Sequence, residues 1–160
     1  MRVRRALAQD ISEIQGLIAG TIESTCKDDY DRKQLDVWVS SIKNKRRWNS
    51  VLEKQFALVA TADDKIVGFA SLENGEYLDF LYVHKDYLRQ GIANKLYEEL
   101  KTESERLGHN TMTSNVSKTA RSFFECKGFK VIHENKHVID AVEINNFHMV
   151  LRIPDAIKTG

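Results

Sequence analysis

The chain is expected to fold as one α+β domain (mixed α/β), a largely antiparallel twisted sheet of about seven strands flanked by about four helices. Three observations predict it. Apolar residues recur at helical spacing from Ile11 to Ile22 and from Leu35 to Ile42. From Gln55 the period changes to that of strands, and Asn74-Gly75 marks a tight hairpin turn between two of them. After Gly91 another helical stripe begins, and strand alternation returns toward the C-terminus.

Val3 to Leu7 forms a first strand. Asp10 then precedes Ile11, Ile14, Leu17, Ile18 and Ile22, so an amphipathic helix runs to about Thr25. Asp31 suits the cap of a second helix carrying Leu35, Trp38, Val39 and Ile42, with helical sequence continuing through Trp48 and Leu52. Phe56–Ala60 and Ile66–Leu72 flank a turn at Asp63-Asp64, and Asn74-Gly75 leads into a strand from Tyr77, giving three antiparallel strands in succession. The helix after Gly91 carries Ile92, Leu96, Leu100 and Leu107 and stops at Gly108. Thr111 to Asn115 is a short strand, Lys118 to Lys127 a helix ended by Gly128, and Val131–His137 with Glu143–Ile153 a closing pair. Beyond Pro154 a loose tail is expected. The order is β-α-α-β-β-β-α-β-α-β-β, and no linker or repeat divides residues 1–160.

Composition narrows the function classes. Of 160 residues, 42% are hydrophobic and 29% charged, ordinary values for a globular domain. Lys and Arg number 24 against 23 acidic residues, a net charge of +1, which argues against a general nucleic-acid binder. The cluster Lys43, Lys45, Arg46 and Arg47 reads as a solvated helix face. Met1-Arg2-Val3-Arg4-Arg5 is followed by no apolar stretch of signal-peptide length, and no apolar run suggests a membrane span. Cys26 and Cys126 suggest no disulfide framework, and a reducing cytoplasm is the simplest reading. His84, His109, His133, His137 and His148 have no ligand spacing, so no metal is expected.

Residues 77 to 97 are the most informative. A strand, Tyr77-Leu78-Asp79-Phe80-Leu81-Tyr82-Val83, runs into the basic loop His84 to Gln90, and a helix opens at Gly91. Backbone N–H groups at a helix start have no intrahelical partner and carry the positive end of the peptide dipoles, so this turn suits a phosphate or pyrophosphate. Leu88-Arg89-Gln90-Gly91-Ile92-Ala93 resembles the acetyl-CoA-binding motif of the GNAT acetyltransferases, Gln/Arg-x-x-Gly-x-Gly/Ala. Leu88 departs from it, and Arg89 is placed to supply the missing cation. The segment Ser117 to Phe129 is similar to a second GNAT motif ending Phe-Tyr-x-x-x-Gly-Phe, with Phe124 where many members have a tyrosine. A phenyl ring cannot donate a proton to a departing thiolate, so water, another tyrosine or direct thiolate release must serve.

The resemblance covers nearly the full chain and implies a cytoplasmic N-acetyltransferase that uses acetyl-CoA as co-substrate. It implies that backbone groups of Leu81, Tyr82 and Val83 face the pantetheine arm. Arg89, Gln90, Gly91, Ile92, Ala93 and Asn94 hold the pyrophosphate, with Ser117 and Phe124 nearby. Its acceptor is a primary amine of a small molecule or peptide, which must lose a proton before attack. The family often carries the base at the positions of Asp79 and Tyr77, and strand alternation places both on the face of Leu81. Asp79 is read as base or as an orienting carboxylate, with Glu73 and Glu76 as weaker candidates. Asp29, Tyr30 and Trp38 are candidate acceptor-binding residues, since Cys26-x-x-x-Tyr30 with a later Trp looks like one bacterial GNAT subgroup. A homodimer is compatible with the family; nucleic-acid and membrane partners are not expected. The rival readings are a non-catalytic acyl-CoA-binding module and a partner-binding domain using the first helices.

Overall fold

The structure, a computed structural model, describes residues 1–154, so the tail expected beyond Pro154 lies outside the described residues. Strands β1 (Arg2–Arg5), β2 (Gln55–Ala62), β3 (Lys65–Glu73), β4 (Tyr77–Val83), β5 (Thr111–Val116), β6 (Lys130–Ile139) and β7 (Val142–Arg152) make one sheet, in the order β1-β2-β3-β4-β5-β7-β6. Neighbours are antiparallel except β4 and β5, which run parallel. The helices are α1 (Ile11–Thr25), α2 (Arg32–Ile42), α3 (Lys45–Lys54), α4 (Ile92–Arg106) and α5 (Arg121–Cys126).

Period-2 alternation sorts the apolar side chains of β2 into two cores. Leu58 and Ala60 join the side chains of α4 and α5, among them Leu96, Leu100 and Phe124. Ala57 and Val59 join α1, α2 and α3, among them Ile14, Ile18, Leu35 and Trp48. Gly68 on β3 lets α4 approach closely, because a Cβ there would meet Leu96 Cδ1 at 2.8 Å and Ile92 Cγ2 at 2.9 Å. Both expected hairpin turns form from paired left-handed residues, Asp63-Asp64 (φ 51° and 62°) and Asn74-Gly75 (φ 53° and 72°).

Two helix boundaries differ from expectation. The stretch expected to extend α2 through Leu52 is two helices, which makes five rather than four. Asn44 caps α3 by accepting from the Arg46 N–H at 3.1 Å, and such side-chain capping competes with continued helix. The helix expected from Lys118 begins at Arg121, because Ser117 Oγ accepts from the Ala120 N–H at 3.1 Å and holds a turn there. Asp31 caps α2 as expected, accepting from the Gln34 N–H at 2.8 Å.

Arg4 and Asp10 tie β1 to the start of α1. The Asp10 carboxylate accepts from both terminal nitrogens of Arg4, at 2.8 and 3.0 Å, and from the Leu7 N–H at 2.8 Å. The Arg4 hydrogen bond outweighs burial and holds the Asp10 carboxyl below its ordinary value of 3.8. A carboxylate depressed in this way stabilises the fold above its unfolded value, and the contribution is lost as pH falls through the folded value. Asp10→Asn is expected to cost about 1–2 kcal/mol at neutral pH, with the deficit shrinking toward about pH 2. Urea midpoints across that range test this, and a deficit independent of pH would contradict it.

Candidate active site

The sheet opens in its middle. β4 and β5 pair only at Tyr77↔Thr113 and Leu78↔Ser114, after which β4 continues to Val83 and β5 to Val116 without further pairing between them. β5 stays zipped to β7 along its whole length, from Thr111↔Arg152 to Val116↔Phe147. The parting strands leave a cleft of about 570 Å³, bordered also by α1, α2, α3 and the turn before α5.

A β-bulge shapes the β4 side. The pairing with β3 passes from Ser71↔Phe80 directly to Leu72↔Leu78, so Asp79 is the extra residue. The bulge overturns the expectation that Tyr77, Asp79 and Leu81 share one face. Leu78, Leu81 and Val83 pack with the α4 core, Phe80 and Tyr82 with the α1 core. Asp79 sits beside Phe80, where one guanidinium, that of Arg47, touches both.

Beyond the bulge, backbone groups alternate between β3 and the opening. The His84 N–H donates to Val67 O on β3 at 2.8 Å, so Phe80 and Tyr82 also face β3, and Leu81 and Val83 face the cleft. The backbone of Tyr82 is thus turned away from the cleft, and this residue contributes only its ring. Thr21 Oγ1 on α1 donates to Val83 O at 2.7 Å. Leu81 therefore offers a free N–H and C=O, and Val83 a free N–H. That is the pattern a peptide-like chain pairs with when it adds to a strand edge.

At its far end the cleft reaches the turn before α4. Arg89 (φ 61°) and Gly91 (φ 80°) both take the left-handed region, and Gly91 is the residue preceding the first helical turn. The first helix-closing bond is Lys95 N–H to Gly91 O at 3.0 Å. No N–H from Arg89 to Asn94 donates to another described residue. A Cβ at Gly91 would meet nothing within 4 Å, so the space over these donors is open. Leu88 and Ala93 line the cleft, whereas the Ile92 side chain is buried in the core.

The opposite end is polar. Arg47 Nη2 donates to Asp79 Oδ1 and Oδ2 at 3.1 and 3.4 Å, and Gln55 Nε2 donates to Oδ2 at 2.8 Å. The Tyr30 hydroxyl donates to Asn145 O at 2.8 Å and accepts from the Lys118 N–H at 3.0 Å, fastening the α1–α2 connection across the cleft to β7. Trp38 meets Tyr30 edge-on at 5.3 Å, and both rings line the cleft. Asp29 does not line the cleft itself but accepts from Thr119 Oγ1, on the cleft border, at 2.7 Å. Glu73 accepts from Gln55 Nε2 at 3.1 Å, and Glu76 from Thr111 Oγ1 at 3.3 Å.

An open strand edge that runs into a turn of free N–H donors is the arrangement the sequence resemblance predicts. Residues 26–151 match the family described as "Acetyltransferase (GNAT) domain". The chain belongs to the GNAT acetyltransferases. It is 28% identical over 151 residues to the uncharacterized N-acetyltransferase YafP of Escherichia coli (strain K12), covering 93% of this chain and 94% of that protein. The crystal structure of a GCN5-related N-acetyltransferase from Rhodopseudomonas palustris matches with a TM-score of 0.91 at 28% identity, over 95% of each chain. The PaiA N-acetyltransferase from Thermoplasma acidophilum, solved in complex with coenzyme A, matches in fold with a TM-score of 0.77 at 19% identity, over 94% and 98% of the two chains. This GNAT protein is accordingly an acyltransferase.

Phe124, in the position where many GNAT members have a tyrosine, is buried against Phe129 at 5.0 Å and borders the cleft. Tyrosines of this GNAT chain lie elsewhere in the same cleft. Burial pushes the Tyr30 phenol up to about 12 and raises that of Tyr82 as well, with neighbouring groups adding smaller effects. The Tyr77 phenol is raised by burial and then by the charge of Asp79, against a smaller opposing effect of Asn115. Both hydrogen-bonding positions of Tyr30 are occupied by backbone groups, which leaves Tyr77 the better placed of the two to meet a ligand. Residues that sequence reasoning did not single out include Arg47, placed on a solvated face, and Asn115, Asn145 and Asn146 on the β5 and β7 side. Nothing local distinguishes them, since each reaches the cleft only by strand pairing or by the turn of α3. Among the described residues no cluster of His, Cys, Asp or Glu forms a metal site, and no helix is long and apolar enough to cross a membrane.

Proposed function

We propose that this GNAT domain takes its acetyl group from acetyl-CoA and transfers it directly to a primary amine of a small molecule or peptide. The observation that carries the reading is the continuity between the free β4 edge at Leu81 and Val83 and the unpaired N–H groups from Arg89 to Asn94. The first suits an amide-bearing arm and the second a pyrophosphate, two parts that coenzyme A joins in one molecule. Ser117, Phe123 and Phe124 border the same space. Bound acetyl-CoA supplies the acetyl group as an activated thioester.

The protein's own residues then have three tasks. A primary amine near pKa ~10 is protonated at neutral pH and must lose a proton before it attacks. Asp79 Oδ1 accepts a single protein hydrogen bond, which leaves a lone pair to receive that proton through water. The cleft-facing Leu81 N–H is the donor available to a developing oxyanion. Tyr77, a phenol protonated at neutral pH and raised further by burial, serves as proton donor in place of the phenol missing at Phe124 rather than as a base. Free Cys26 and Cys126 suit a reducing cytoplasm.

Melting and turnover measured together test this. Acetyl-CoA at 100 times its Kd is expected to add ~2.7 kcal/mol, or about 5–11 °C for a domain of this size. Tyr77→Phe should keep that shift while kcat on the amine falls about 10²-fold. No shift with the parent protein would refute the coenzyme reading. An unchanged kcat in the variant would remove Tyr77 as donor.

A further inference from the structure

We propose that the amine acceptor also carries an acidic group, a carboxylate or a close equivalent, and that Arg47 binds it. The inference rests on the acetyl-transfer reading and specifies its acceptor. Among the described residues that line the cleft, Arg47 is the one Lys or Arg and Asp79 the one Asp or Glu. Their arrangement is asymmetric. The Asp79 side chain is 10% exposed and the Arg47 side chain 47%, so the carboxylate is the buried anchor and the guanidinium faces outward.

The guanidinium is positioned but not saturated. Nη2 alone bonds Asp79, and Nε and Nη1 donate to no described residue. The plane rests over the Phe80 ring, with its carbon 4.9 Å from the ring centroid, which limits rotation. Phe80 is itself held by Trp48, at a centroid distance of 5.0 Å. Both bidentate edges of a guanidinium include Nη2, so with one Nη2 N–H held by Asp79 the second Nη2 N–H and its neighbouring nitrogen form the fork that a carboxylate fills.

Charge balance decides the ligand class. Arg47 and Asp79 neutralise each other, so what distinguishes ligands is the remaining Arg47 donors, which an amine with no acidic group leaves unpaired. An amine bearing a carboxylate satisfies the remaining Arg47 donors while its nitrogen stays close to Asp79. The coenzyme phosphates do not compete for this cation. At about 3.3 Å per residue, Asp79 stands roughly 13 Å along β4 from Val83, and the N–H donors of the Gly91 turn lie beyond that.

The test uses matched probes on the full chain. Glycine, β-alanine, 4-aminobutyrate and 6-aminohexanoate are each compared with the corresponding carboxamide. The best carboxylate is expected to exceed its carboxamide in kcat/KM by about tenfold or more, chiefly through KM. Arg47→Gln should bring the ratio to about one, and Arg47→Lys should restore part of it. A second readout needs no turnover: butyrate titrated calorimetrically into the coenzyme A-loaded protein binds the parent and not Arg47→Gln. If that variant fails to fold, Arg47→Gln with Asp79→Asn removes both charges together and should also fail to bind butyrate. Equal use of carboxylates and carboxamides, a preference that survives Arg47→Gln, or butyrate binding independent of Arg47 would overturn the proposal. Acetyl-CoA stabilisation with turnover on carboxamides equal to that on carboxylates would do so while leaving the acetyltransferase reading intact.

Discussion

Gly91→Trp is expected to abolish coenzyme binding, so that acetyl-CoA no longer raises the melting temperature and turnover is lost. The reason is the volume that the glycine leaves free. Nothing stands within 4 Å of a Cβ at this position, and the N–H groups from Arg89 to Asn94 border that space without protein acceptors. An indole there occupies the place of the phosphates. The φ of 80° adds backbone strain of about 1–2 kcal/mol for any L-residue, which lowers the stability of the unliganded protein as well. Gly91→Ala separates the two effects, because it carries the strain with far less bulk. The alanine variant should melt lower but still respond to acetyl-CoA. Unchanged affinity of Gly91→Trp by calorimetry would refute the placement of the phosphate site.

Trp48→Ala is expected to cause a large loss of stability and to disturb the acceptor end of the cleft. Trp48 is 1% exposed and packs on Phe69 and Phe80, at centroid distances of 5.4 and 5.0 Å. Its indole N–H donates to Ile42 O at 2.6 Å, satisfying a carbonyl at the end of α2. Truncating a buried tryptophan costs about 3–5 kcal/mol, and Ile42 O keeps a second donor, Gln15 Nε2 at 3.0 Å. At about 2–4 °C per kcal/mol the melting temperature should fall by roughly 6–20 °C. Arg47 rests on the Phe80 ring that Trp48 also supports, so turnover should drop even where the variant is folded. A fall of less than about 4 °C would show that the α2–α3 corner can close over the missing ring.

Several parts of the site are legible in the amino-acid sequence. The limits of β4, the start of α4 at Gly91 and the stop at Gly108 follow from period changes and from single residues with special φ, and they agree with the structure. The turn of free donors before α4 is legible for the same reason. Its donors are backbone groups, and their availability depends only on a helix starting there. The split between α2 and α3 is less visible, because Lys43 and Asn44 interrupt a helical apolar pattern that continues at Trp48 and Val51.

The acceptor end behaves differently. Alternation counted along Tyr77-Leu78-Asp79-Phe80-Leu81 assumes a regular strand, and the bulge at Asp79 moves every later side chain to the other face. Arg47 belongs to a run of basic residues whose composition describes a solvated surface, yet its half-exposed guanidinium reaches a carboxylate 32 residues away. Asp29, expected at the acceptor, turns to Thr119, 90 residues along the chain.

By itself the amino-acid order determined the helical and strand periods, the hairpin turns and the turn that opens α4. Each depends on interactions within a few neighbouring residues, so local pattern suffices to place it. Only the tertiary structure decided where β4 and β5 part, which strand residue bulges, and how Arg47, Asp79 and Tyr30 meet around the opening. Those outcomes depend on the packing of segments distant in sequence, such as Tyr30 with Asn145 at a separation of 115 residues, and no local periodicity records such a contact.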